Sequence, residues 1–188
     1  MTRWITFFSQ TGGEIANISQ SIGRWPDLVV TNKQDTSDIN VYLREHCWDK
    51  IYKLPLWPKE IDYMKMADML GYSILNEKWK EDVLVTLHGY LRILPADFCD
   101  KTKIFNGHPG LITRYPELKG FNPQKKAWEL KHKDIGCVIH QVIPELDSGP
   151  IVAKSAIINE FNNFDDMVRG LHNESTNLWI EFLNEKLR

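Results

Sequence analysis

The sequence predicts an α/β domain with a mostly parallel sheet and helices on both faces. Two observations carry that prediction. The first 32 residues read as strand, Gly-rich turn, helix and second strand, a βαβ unit that implies parallel pairing and a right-handed crossover. Later runs such as "DVLVTLHGYL" (82–91) are apolar on both alternating faces, as strands of a sheet covered on both sides are.

The elements follow in order. "RWITFFS" (3–9) is rich in β-branched and aromatic residues and is expected to be the first strand. Gly12 and Gly13 punctuate, and Ile15, Ile18 and Ile22 then recur at helical spacing. "DLVVTN" (27–32) is the next strand. "DINVYLREHC" (38–47) is expected to be a helix capped by Asp38, and "KIYKL" (50–54) a short strand ended by Pro55. A helix is expected over 60–72 with Ile61, Met64, Ala67, Met69 and Leu70 on its apolar face, the methionines filling core space. Strands are expected at 82–91, 103–108 and 135–143, with 150–158 as an antiparallel or edge neighbour. The chain ends in a long helix, 163–187, capped near Asn163. No repeat, low-complexity segment or linker breaks the pattern, so residues 1–188 are expected to form one domain.

Composition narrows the function. The formal net charge of −2 leaves no electrostatic footprint for nucleic acid or an anionic membrane. Lysines at 119, 125, 126, 131 and 133 are interrupted by Glu129 and Asp134 and read as a solvated face. No apolar run approaches the ~20 residues that span a bilayer, and the N-terminus has no signal-peptide pattern. Cys47, Cys99 and Cys137 are odd in number and far apart, as free thiols in a reducing cytoplasm are. No zinc-motif spacing occurs, and no metal is expected.

The chemistry concentrates at "KIFNGHPG" (103–110). Residues two apart on a strand share a face, so Asn106 and His108 present together. Gly107 between them permits close approach of another backbone, and Pro109 ends the ladder. Ligands of open α/β sheets bind outside the carboxyl ends of the strands. There an amide can hold an oxyanion and an imidazole can move a proton. Asp147, in the turn "ELDSGP", can orient and charge that imidazole, with Glu145 as its competitor. Taken alone, the same residues also fit a strand-end cap, a satisfied buried histidine and an ordinary turn aspartate. His140, alternating with apolar neighbours, reads as a core or supporting histidine, and His132 as a surface one. His88 fits the site edge and a plain strand end equally well.

Three blocks in order, "HGYLRILPADF" (88–98), "FNGHPGLITRYPELKG" (105–120) and "IGCVIHQVIPELDSGPIVAK" (135–154), resemble the formyltransferases that use 10-formyltetrahydrofolate, the phosphoribosylglycinamide type most of all. The resemblance implies a Rossmann-like formyltransferase fold and a formyl transfer to a small amine. It implies that Asn106 and His108 stabilise the oxyanion and that Asp147 holds His108 as imidazolium. It places the folate pocket at Tyr90, Leu91, Arg92, Ile93 and Leu94, with backbone groups of Arg92 and Leu94 reading the pterin. The loop Val142, Ile143, Pro144 and Glu145 would close the other side.

For the acceptor, the resemblance points to the turn Thr11, Gly12, Gly13, Glu14 as a phosphate nest at a helix N-terminus, and to Glu174 in the last helix. Gln10, Gly13 and Glu14 depart from the family's Gly-x-Gly-Ser-Asn, and a carboxylate beside a phosphate is unfavourable unless it points away. Gly110 and Thr113 also depart, from Ser and Pro. "KGFNPQ" (119–124) resembles, more faintly, amino-sugar-nucleotide N-formyltransferases, which leaves that acceptor class open. A formyltetrahydrofolate deformylase and a folate-binding module are the remaining alternatives. The expected protein is thus a cytoplasmic enzyme of purine synthesis, monomer or homodimer, taking no nucleic-acid partner.

Overall fold

The computed structural model describes residues 2–69, 71–73, 78–79 and 82–188. Its centre is a seven-stranded sheet. The strands are β1 (Arg3–Phe8), β2 (Leu28–Thr31), β3 (Ile51–Lys53), β6 (Val83–Leu87), β7 (Ile104–His108), β8 (Asp134–Gln141) and β9 (Ile151–Ile158), in the order β3-β2-β1-β6-β7-β8-β9. Pairing is parallel from β3 to β7, and β8 and β9 are antiparallel. Two residues each of β4 (Tyr72–Ser73) and β5 (Lys78–Trp79) form a separate antiparallel pair. The helices are α1 (Gly13–Ile22), α2 (Val41–Cys47), α3 (Glu60–Met69), α4 (Ala96–Lys101), α5 (Pro123–Glu129) and α6 (Phe164–Lys186).

Strand alternation divides the core. Trp4 and Leu84 pack with Ile18 of α1 and with Leu171, Trp179 and Leu183 of α6. Ile5, Phe7, Val83, Val85 and Leu87 face the other way, onto Tyr63 and Met66 of α3 and Phe98 of α4. The expected helices on both faces are therefore present. β9 alternates half-buried and exposed residues, as an edge strand covered on one face does.

Three local expectations are corrected. α2 begins at Val41 and is capped by Asn40, whose Oδ1 accepts from the N–H of Tyr42 (3.0 Å) and Leu43 (3.3 Å). Asp38 is instead spent on Lys33. The buried face of α3 is Tyr63, Met66 and Ala67, while Ile61 and Met69 are exposed; the expectation for Leu70 lies outside the described residues. The i, i+3, i+4 row through Tyr63 wins because it buries a large ring. His132 is not a surface residue: it stacks on Tyr115 at 3.8 Å and faces Glu117.

Order β2-β1-β6 means that the chain leaves β1 toward one side of the sheet and returns on its other side. The carboxyl ends of β1 and β6 flank this switch point, where open α/β sheets leave a crevice. β7 sits next to it and carries Asn106.

Candidate functional site

Asn106 of β7 pairs with His140 of β8 across the ladder. The asparagine Nδ2 lies 3.1 Å from His140 Nε2. His140 Nδ1 lies 3.0 Å from the Gln141 carbonyl, which can only accept, so Nδ1 carries the hydrogen and Nε2 accepts from Asn106. An amide has two N–H donors, so one remains for a ligand.

Asp147 arrives from the turn between β8 and β9, at φ 48°, a left-handed conformation that Asp and Asn tolerate better than most residues. Its Oδ1 lies 3.4 Å from His140 Nε2 and its Oδ2 3.4 Å from His108 Nδ1. The Gly120 N–H donates to Oδ2 at 2.8 Å. Burial pushes the Asp147 carboxyl up, but the neighbouring His140 and His108 rings, whose protonated forms favour its charge, and the Gly120 N–H together outweigh it and leave the pKa below the ordinary value. The carboxylate is ionised at neutral pH.

His108 is buried behind Asp147. Its Nε2 donates to the Leu118 carbonyl at 2.8 Å, so in the neutral ring the Nδ1 lone pair faces the carboxylate. Burial lowers its pKa more than the Asp147 charge raises it. The residues 118–120 thus hold both His108 and Asp147 through backbone groups. Gly107 admits a side chain rather than a backbone: a Cβ there would lie 2.6 Å from Trp179 Nε1 of α6.

Asn106, His140 and Asp147 open onto a cleft of about 540 Å³, the open space at its mouth included. Leu87, Tyr90, Arg92, Ile93, Leu94, Val142, Ile143, Pro144 and Leu146 complete its lining. Seven of the nine residues expected at a folate pocket are here together. Leu91 and Glu145 lie outside the lining; Leu91 is held by its backbone N–H on Ser9 Oγ, and its side chain is exposed. His108 is not in the lining either, and His140 is. Sequence reasoning gave His140 only a supporting place. The signal for it was the Gly136-x-x-x-His140 spacing before Asp147. Leu87 and Leu146 carried no such signal.

The expected acceptor residues lie in the turn that opens α1, on its first residues and on α6. Gly12 caps α1 at φ 72°, packed against Leu43. Glu14 turns onto two inner partners: His88 Nδ1 at 2.8 Å and Ser175 Oγ, which donates at 2.6 Å. His88 Nε2 meets Thr86 Oγ1 at 3.0 Å. Burial raises the Glu14 pKa, and His88 and Ser175 more than reverse it, leaving it below the ordinary value. Glu174 accepts from Ser155 Oγ. Trp179 bridges the two regions, with its ring 4.5 Å from that of His88 and its edge under Gly107.

Among the described residues, no group of three or more His, Cys, Asp or Glu side chains is placed to hold a metal ion, and no helix is long and apolar enough to cross a membrane. All three cysteines are free and buried, and burial pushes the Cys137 thiol up to about 12, so none is a poised nucleophile.

The sequence profile of the formyl transferase family matches residues 27–183. The chain belongs to the formyl transferase family. Within it, the chain is 38% identical over 135 residues to the trifunctional purine biosynthetic protein adenosine-3 of Gallus gallus, covering 69% of this chain and 12% of that one. It is 35% identical over 146 residues to a formyltetrahydrofolate deformylase of Synechocystis, covering 76% of this chain and 46% of the relative. The chain therefore spans under half the length of either. Phosphoribosylglycinamide formyltransferases of Streptococcus pneumoniae and Bacillus halodurans share its fold, with TM-scores of 0.78 and 0.77 at 21% and 24% identity. The first is covered over 100% of both chains, the second over 99% of this chain and 95% of its own.

Proposed function

We propose that residues 1–188 act as one catalytic unit that moves a formyl group from 10-formyltetrahydrofolate to the primary amine of a small acceptor of the phosphoribosylglycinamide type. The observation that carries this reading is the meeting of Asn106, His140 and Asp147 at the wall of an apolar cleft. Family membership and the purine biosynthetic relatives support it, and a cytoplasmic setting is part of the proposal.

The cleft suits a flat bicycle. Tyr90, Leu94, Val142, Ile143 and Pro144 supply apolar walls, and a few fixed polar groups give orientation. 10-Formyltetrahydrofolate supplies the formyl carbon and a nitrogen leaving group. Asn106 directs its second amide hydrogen at the oxygen that gains charge when an amine attacks. His140, itself anchored by the Gln141 carbonyl, keeps the Asn106 amide in that orientation. Asp147, ionised between two imidazoles, takes a proton from the incoming amine, directly or through one water, and returns it to the departing nitrogen. His108 contributes through Asp147, because its Nε2 is committed to Leu118.

The turn Thr11–Glu14 receives the acceptor's far end in this reading. Glu14 spends both carboxylate oxygens on His88 and Ser175, which removes the objection a free carboxylate would raise against a phosphate there. Identity with the Synechocystis deformylase favours one second reading, with water as acceptor. Donor turnover followed by absorbance tests both. Turnover that requires glycinamide ribonucleotide supports formyl transfer, and formate release without any amine supports the hydrolase.

A further inference from the structure

The cleft wall Gly89–Leu94 joins β6 to α4 without regular secondary structure. Such a segment would ordinarily be mobile, yet a binding wall must hold its shape. Its fixation comes from three other strand ends. The Ser9 N–H, after β1, donates to the Gly89 carbonyl at 3.2 Å, and the Leu91 N–H donates to Ser9 Oγ at 2.9 Å. Ser9 Oγ in turn donates to Asn32 Oδ1 at 2.7 Å, just after β2. Asn32 is 2% exposed, and its Nδ2 donates to the Leu56 carbonyl, after β3, at 3.1 Å. The same carbonyl accepts from Arg92 Nε at 3.1 Å, and the Arg92 guanidinium lies 4.1 Å from the ring centroid of Trp57. The chain of contacts closes on the wall where it began.

The geometry points to Asn32 and Trp57 as positioning residues for the cleft: together with Ser9 they form a clamp that fixes residues 89–94 before any ligand arrives. Asn32 is the hub. A buried amide is costly unless both ends are bonded, and here each end serves a different strand terminus. Trp57 is the outer jaw. It is 71% exposed, so core packing does not explain its place, and the face of its ring is what Arg92 uses. Arg92 lines the cleft, so its orientation sets the cleft's shape. The clamp bears on folate binding only through the function proposed above.

Hydrogen exchange on the free protein tests the clamp without a ligand. Trp57→Ala is expected to speed exchange at 89–94 about tenfold, and Asn32→Ala by more, with β6 residues 83–87 unchanged. Trp57→Phe keeps a ring face and is expected to restore protection. Exchange at 89–94 within twofold of the wild type in both alanine variants would overturn the clamp. A rise shared equally by 83–87 would also overturn it, as general loosening. Tetrahydrofolate titration gives the second readout: weaker binding in Trp57→Ala than in the wild type and Trp57→Phe supports the clamp. Faster exchange at 89–94 with no folate binding by the wild type supports the clamp and counts against the proposed function alone.

Discussion

Asp147 and His108 face each other at 3.4 Å, both buried, with the imidazole held from behind by the Leu118 carbonyl. The imidazole therefore cannot turn toward solvent, and its protonation is set by the protein. Asp147→Asn is expected to lower turnover by ~10²–10³ while the fold survives, because Asn also tolerates the left-handed backbone at this position. Steady-state rates with circular dichroism of the variant check this.

The sign of the pH dependence follows from the same pair. His108 has its pKa lowered from 6.5, so the ring is neutral at pH 7 and the rate is expected to fall only in acid below that value. Removing the Asp147 charge takes away the main influence that raises the His108 pKa. In Asp147→Asn the acid limb is thus expected at lower pH than in the wild type, which a pH–rate profile would show.

Stability is expected to decline in acid in two stages. The unfolded chain takes up a proton on His108 before the folded one does, so stability is full above 6.5 and falls as pH drops through the lower folded pKa. Asp147 and Glu14, lowered from 3.8 and 4.5, add a second loss as pH falls through their folded values. Melting temperatures from pH 8 to 3 would trace both stages, and His108→Gln is expected to flatten the first.

Gly107→Ala is expected to cost about 1–3 kcal/mol, the usual penalty of overpacking, since the added methyl meets the edge of Trp179. Urea denaturation measures it. A neutral result would mean that α6 shifts freely, against its burial under β7.

Glu14→Ala is expected to cost about 1–2 kcal/mol by leaving His88 and Ser175 without their shared partner. Glu14→Gln retains an acceptor oxygen and is expected to cost less in the same measurement.

The sheet was legible because each strand is a short run of β-branched and aromatic residues between Gly and Pro breaks. The short helices α4 and α5 were not: at six and seven residues they are too brief to show a period. At the site, Asn106 and Asp147 stood out by residue type and spacing, and the cleft wall was implied by the resemblance to the formyltransferases. The exchange of places between His108 and His140 could not. It depends on which ring the 118–120 backbone captures, a long-range contact that leaves no local pattern. Glu14 looked like an obstacle in the turn for the same reason, since His88 and Ser175 lie 74 and 161 residues away.

The most direct test supplies purified protein with 10-formyltetrahydrofolate and glycinamide ribonucleotide, and measures formylated amine and free formate together. Formylated amine is expected in step with donor loss, and almost none of it from Asn106→Ala. Formate without formylated amine, or an Asn106→Ala variant as fast as the wild type, would contradict it.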